Sequence, residues 1–263
     1  MKPASFRIRL GISRCLLGDH VRYDGGHKRS PYLADILSRD IDWVPVCPEV
    51  EAGLGTPREP MQLVGTVRRP RLLTITTRQD QTIILTEFSG CRIRELKSLN
   101  LSGYVFKARS PSCGVEQVPL YDRHGKASPR ATGLFTRRFQ KEFPLIPVTD
   151  EERLADPIFC RQFLERVFGY SRWQILTGSP VTREGIATFH QREADELQRH
   201  SPSHFLKLSR LISQASRYRP KDLSIRYGKV FLEALAVAPS PPNKLTNWIA
   251  CAHAITRRPG IYE

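Results

Sequence analysis

Three short apolar runs, RIRLGISRC, DWVPVC and YVFKARSPSC, each close on a cysteine: Cys15, Cys47 and Cys113. Each run is rich in β-branched or aromatic residues and closes among Gly, Pro or Ser, the pattern of a buried strand running into a turn. As parallel strands of one sheet, they would place their carboxyl ends along one edge, where open α/β sheets build their sites. Three thiols remote in sequence would then converge in space. Three soft ligands at one site, with no fourth partner evident, point to a metal or iron–sulfur centre with an open position.

The rest of the first half supports such a sheet. Strand signals fall at Arg7–Ser13, Trp43–Cys47, Leu72–Thr76, Tyr104–Ala108 and Leu145–Val148, with helix signals at Pro31–Arg39, Phe88–Leu99 and Thr132–Phe143 between them. Such alternation predicts an α/β domain with a mostly parallel sheet over residues 1–150. The texture changes near Thr149. Asp156 and Pro157 read as a helix N-cap and first helical position, followed by Phe159, Phe163, Val167 and Tyr170 at helical spacing. A second helix is expected after Thr182, with Ile186, Phe189 and Leu197 inward. A third is expected over His204–Ala215, and a fourth after Pro220 with Leu223, Tyr227, Phe231 and Leu235. Residues 155–263 therefore read as an all-α C-terminal domain, with hinges at Leu176–Pro180 and Ala238–Pro242.

Charge narrows the partners. The chain carries 41 Lys and Arg against 26 Asp and Glu, a net charge of +15. Residues 1–150 hold 24 of the bases and 15 of the acids, so the excess is spread over both halves rather than held in a tail. Arginine forks suit phosphate oxygens and stack on bases, which makes a phosphate polymer the natural partner. An Arg-rich proteome is the bland alternative. No apolar stretch approaches the ~20 residues that span a bilayer. MKPASFRIRLGIS has charges within its apolar run, so neither a signal peptide nor a membrane partner is expected. Six cysteines at irregular spacing do not make a secreted disulfide framework, and a cytoplasmic location follows as the expectation.

Around the three thiols lie the other candidates. No two cysteines stand two residues apart, which argues against a zinc ribbon but leaves a three-cysteine zinc site open. Glu49 follows Cys47 closely and reads either as a general base or as a solvated loop carboxylate. Ser110 and Ser112 flank Cys113. The loop after Cys15, CLLGDHVRYDGGHKR, offers Arg22, Tyr23, Asp24, His27 and Lys28 as candidate substrate-binding residues. Its glycine pair lacks the Gly-Lys-Ser/Thr ending of a phosphate loop. Cys91, Cys160 and Cys251 fall within helical patterns and read as core.

Together, CLLGDHVRYDGGHKR, VPVCPEVEAGLGTPREPMQLV and FKARSPSCGV closely resemble the 2-thiouracil desulfidase family. The segments DPIFCRQFLERVFGYSRW, FHQREADELQRHSPSHF and RYGKVFLEAL resemble, more loosely, the domain fused to it in two-domain tRNA 2-thiouridine desulfidases. The resemblance implies a 4Fe–4S cluster held by Cys15, Cys47 and Cys113, with one iron free to take the substrate's thiocarbonyl sulfur. It implies Glu49 as the residue activating water, and Ser110 or Ser112 as the serine that orients or relays protons. The reaction, hydrolysis of a C–S bond without net redox change, would act on tRNA. Two alternatives stand beside it: the same chemistry on free 2-thiouracil, or a non-catalytic RNA-binding metalloprotein. At the C-terminus, Leu245 stands where the family has a histidine, so a shortened accessory domain is expected.

Overall fold

The structure is a computed structural model that describes residues 8–238. The chain divides at Asp156/Pro157 into two compact units.

The first unit contains the parallel sheet that the cysteine-ended runs require. Strands β1 (Ile8–Ser13), β2 (Ile41–Val46), β5 (Gly103–Phe106) and β8 (Val148–Asp150) lie in the order β2-β1-β5-β8, every neighbouring pair parallel. From β1 the chain first builds outward to β2, then returns to add β5 on the other side. The switch point therefore lies between β1 and β5, where parallel sheets open a crevice at their carboxyl edge. All four residues of β5 are buried, as expected of a strand covered on both faces.

A second sheet escaped the sequence reading. Strands β3 (Met61–Gly65), β4 (Pro70–Thr74), β6 (Val118–Tyr121) and β7 (Ala127–Ala131) lie in the order β4-β3-β6-β7. The β3/β4 and β6/β7 pairs are antiparallel, and β3/β6 is parallel. The run expected as a strand over Leu72–Thr76 is thus β4 of a hairpin and not a member of the parallel sheet. Its Leu72 joins Leu63, Leu85, Val118, Leu120 and Ala131 in a core of its own.

Helices α1 (Pro48–Glu51), α2 (Thr82–Lys97) and α3 (Leu134–Glu142) complete this unit. Helix α2 begins before the expected Phe88, where Asp80 Oδ1 accepts the Thr82 N–H at 2.9 Å. The expected helix over Pro31–Arg39 is instead a π turn at Tyr32–Ile36 followed by a 3-10 turn at Leu37–Arg39. Cys91 is exposed rather than core. It sits off the face of α2 that buries Leu85, Ser89, Ile93 and Leu96, and it takes a contact from Arg94 Nη2 at 3.2 Å.

Gly11 in β1 is required by Tyr104 in β5. A Cβ there would lie 2.1 Å from Tyr104 Cδ2. That ring cannot yield, because it stacks on Phe106 at 3.9 Å and meets Phe139 of α3 edge-on at 4.9 Å. Gly11→Ala is expected to cost about 3 kcal/mol through overpacking, read as a lower urea midpoint. An unchanged midpoint would refute this packing account.

The second unit is helical: α4 (Pro157–Thr177), α5 (Arg183–Arg192), α6 (Ala194–His200), α7 (Pro202–Ser213) and α8 (Pro220–Leu235). Thr182 caps α5 by accepting the Gly185 N–H at 2.9 Å. The core gathers Trp173, Ile186, Phe189, Leu197, Leu208, Tyr227 and Phe231, with Trp173 stacked on Tyr227 at 5.4 Å. His190 sits in it between Tyr227 Oη at 3.2 Å and Ser209 Oγ at 3.0 Å. Where one helix was expected from Thr182 through Leu197, the structure has two. They break at Glu193, which is 3% exposed and bound by Arg172 of α4 at 2.8 and 2.5 Å. Among the described residues, no helix is long and apolar enough to cross a membrane. Cys251, Leu245 and most of the Ala238–Pro242 hinge lie outside the described residues.

Candidate active site

The three cysteines do converge. Cys15 lies in the 3-10 turn Arg14–Leu16 that ends β1, Cys47 precedes α1 directly after β2, and Cys113 lies in the loop that follows β5. All three line one cavity of about 420 Å³, together with Glu49.

Each thiol is fixed by local chemistry. Proline at the first position of α1 turns the chain immediately after Cys47, whose N–H is held by Glu51 Oε1 at 2.7 Å. Glu51 is itself paired with Arg92 at 3.3 Å. The Cys113 N–H is held by Ser110 Oγ at 3.1 Å, and its carbonyl accepts Thr136 Oγ1 at 2.6 Å. Gly133 lets the start of α3 press on this loop; a Cβ there would lie 2.5 Å from the Ser112 carbonyl carbon.

Burial pushes all three thiols up: Cys15 to about 12, with Cys47 as its second cause, while Cys47 and Cys113 also rise above the usual thiol value. The mutual influence of the three sulfurs reflects their proximity. Among the described residues, no group of three or more His, Cys, Asp or Glu side chains is placed to hold a metal ion.

Glu49 is gripped from both sides. Its Oε1 accepts Ser112 Oγ–H at 2.6 Å, and its Oε2 is bonded by Arg58 Nη2. The Arg58 side chain is only 7% exposed, and its Nη1 also donates to Val21 O at 3.1 Å and Gly55 O at 2.9 Å. A half-buried carboxylate with a guanidinium on one oxygen and a hydroxyl on the other is held in one orientation.

The two serines separate in place. Ser110 lines the cavity, whereas Ser112 is fully buried behind Glu49. In the loop after Cys15, Arg22, Tyr23 and Lys28 line the cavity. Asp24 and His27 stand outside its lining. Asp24 Oδ1 accepts the Gly26 N–H at 3.0 Å, and His27 Nδ1 accepts the Arg29 N–H at 3.2 Å. Both shape the loop.

Sequence reasoning missed four cationic members of the lining: Arg14, Arg58, Lys107 and Arg109. Lys107 is 16% exposed, pairs with Glu151 and lowers the tendency of Cys15 to hold its proton. The position of Lys107 just past β5 was a usable signal. That of Arg58 was not, because its loop reaches the site through a long-range bond from the Arg58 N–H to Tyr23 O at 2.9 Å. With Arg22 and Lys28, six cations line the cavity beside Glu49, and Arg14, Arg22, Lys107 and Arg109 are paired with Asp19, Asp24, Glu151 and Glu152 outside its lining.

The family model for 2-thiouracil desulfurase matches residues 10–151, which contain every cavity residue named above. The uncharacterized protein YbbK of Bacillus subtilis (strain 168) is 31% identical over 108 residues, covering 39% of this chain and 71% of that protein. Among solved structures, the [4Fe-4S]-dependent thiouracil desulfidase TudS matches with 28% identity and a TM-score of 0.47, over 57% of this chain and 94% of that one. The family match takes in more than half of the 263 residues and all three convergent cysteines, and the chain belongs to the 2-thiouracil desulfurase family.

Proposed function

We propose that this protein hydrolyses the C2–S bond of 2-thiouridine in tRNA, using a 4Fe–4S cluster held by Cys15, Cys47 and Cys113. What carries this reading is the convergence of three thiols from three separate strand ends on one cavity that also holds Glu49. The donor set fits the group. It is all sulfur and comes from three separate strand ends that meet on one cavity, a soft donor set that would suit an iron–sulfur cluster. When bound, the cluster supplies a Lewis-acidic iron for the thiocarbonyl sulfur.

The chain's own residues do the rest. Exchange of sulfur for a water oxygen needs no electron acceptor, but the attacking water must lose its protons. Glu49 takes the first on Oε1, where a second lone pair remains beside the Ser112 hydrogen bond, and the second departs on the sulfur as hydrosulfide. Ser112 and Arg58 hold the carboxylate toward the cavity. The hydroxyl of Ser110, whose oxygen already accepts the Ser112 and Cys113 N–H groups, is left to donate into the cavity. Lys107 favours the hydrosulfide that leaves, and Tyr23 at the cavity wall offers a face to the base. The net charge of +15 favours a substrate embedded in a polyanion over a neutral free base.

Iron and acid-labile sulfide, measured after anaerobic purification, test the centre. About four of each per chain are expected in the wild type, and neither in Cys47→Ala. Zinc in place of iron, or no metal, would overturn the cluster. Sulfide release from 2-thiouridine tRNA should fall steeply with salt while release from free 2-thiouracil does not. Turnover of the free base alone would restrict the activity to that substrate.

A further inference from the structure

The segment GTPREP runs between α1 and β3 and brings Arg58 to Glu49. Residues 52–60 belong to no helix or strand, and Gly55, Thr56 and Pro57 are exposed. With neither a ladder nor a packed face to hold the loop, its polar anchors decide where Arg58 stands. On one side the Arg58 N–H donates to Tyr23 O at 2.9 Å, and its Nη1 donates to Val21 O at 3.1 Å. On the other side the anchor is Glu59. Its Oε1 accepts the N–H groups of Thr76 and Thr77, the latter at 2.8 Å, and its Oε2 accepts the Thr77 hydroxyl at 2.6 Å. These bonds, led by that hydroxyl, hold the Glu59 carboxyl below the usual carboxylate range.

The turn that receives Glu59 is closed on itself. The Thr74 N–H donates to Gln79 O at 3.0 Å, the Gln79 N–H returns to Thr74 Oγ1 at 2.7 Å, and the Thr74 and Thr77 hydroxyls meet at 2.8 Å. A loop without regular structure is thus fastened to a turn that is braced. The residues after Glu59 have other supports. Pro60 O accepts the Ile75 N–H at 2.9 Å, and Met61 pairs with Thr74 in the β3/β4 ladder. Those bonds keep the Pro60, Met61 and Ile75 wall of the cavity in place without help from Glu59. What depends on Glu59 is its other neighbour, Arg58, and through Arg58 the orientation of Glu49. A shift of ~1 Å in a reacting group costs up to ~100-fold in rate, so such a tether has a kinetic consequence.

We propose that Glu59 is a positioning residue for desulfuration, clipping the Arg58 loop to the turn after β4 so that Arg58 stays on Glu49. This role rests on the reading of Glu49 as the proton acceptor.

Sulfide release from free 2-thiouracil by the anaerobically purified full chain tests it, together with hydrogen exchange read by mass spectrometry. Glu59→Ala should lower kcat by ~10-fold and change KM by less than about 3-fold, with iron and sulfide content unchanged. Backbone amides of residues 55–61 should exchange several-fold faster in this variant, in the chain stripped of iron as well. Glu59→Gln keeps an acceptor for the Thr76 and Thr77 N–H groups and should restore most of the rate. In an Arg58→Met background, Glu59→Ala should slow turnover no further, because the group it positions is already gone. Should Glu59→Ala fail to retain iron, Thr77→Val takes its place, removing the hydroxyl bond alone, with a smaller loss of kcat expected.

Wild-type kcat in Glu59→Ala, a loss confined to KM, unchanged exchange over 55–61, or a loss that multiplies that of Arg58→Met would each overturn the positioning role. The reading of Glu49 would survive any of these, provided that Glu49→Gln is slow. Full-rate sulfide release by Glu49→Gln would sink that reading, and the role of Glu59 with it.

Discussion

Glu49→Gln is expected to lower the rate of sulfide release by about 10²- to 10⁴-fold, the usual contribution of a positioned proton acceptor, while iron and sulfide content stay unchanged. The substitution is isosteric and both neighbours tolerate it. The glutamine carbonyl can face Arg58, and its NH₂ can face Ser112 Oγ, which turns to accept instead of donate. What disappears is the basic site alone. Single-turnover sulfide release beside metal analysis separates the two properties; equal rates would refute the role of Glu49.

Arg58→Met extends the test to a residue that positions Glu49. It leaves the carboxylate without its cation and unbinds Val21 O and Gly55 O. Turnover should fall through kcat more than through KM, and added guanidinium should recover part of it. A loss in KM alone, without such rescue, would assign Arg58 to substrate binding instead.

Arg172→Leu should destabilise the helical unit by about 3–5 kcal/mol, the cost of removing one partner from a buried pair. Arg172 is 10% exposed and holds Glu193 by two bonds and Glu196 at 2.8 Å, so its loss leaves Glu196 without this cation and Glu193 with only the longer 3.7 Å contact to Arg192. The break between α5 and α6 is built on this contact. Arg172→Leu combined with Glu193→Leu and Glu196→Leu should recover much of the loss, because apolar replacement of a whole buried ion cluster is often neutral or better. Urea unfolding followed by circular dichroism reads both variants. An undisturbed midpoint in the single variant would show that the pair contributes nothing to stability.

The parallel sheet was legible because its central strands, β1 and β5, are almost wholly buried and so read as near-continuous apolar runs. Cys15 and Cys47 stand at the ends of two of the sheet's strands, and a general rule about sheet edges brought the thiols together. The helices of the second unit were legible from their spacing, Phe163 and Val167 in one and Tyr227 and Phe231 in another. Strands β3, β6 and β7 were not. They are four or five residues long, and prolines in the middle of β6 and β7 oppose a strand reading. Whether Leu72–Thr74 pairs in parallel or in a hairpin depends on Met61–Gly65, which carried no signal of its own.

The site divides in the same way. Sequence alone supplied its residues: three cysteines, a carboxylate and two serines placed shortly after strand ends, in a chain with a large excess of arginine. Those follow from residue type and local pattern, which act over a few positions. Tertiary structure alone decided which serine holds Glu49, that Arg58 clamps the carboxylate, that Asp24 and His27 shape a loop without lining the cavity, and that Arg172 ends a helix. Each of these is a contact between residues chosen by the packing of whole elements, and residue type by itself does not encode which partner a long, charged side chain will meet.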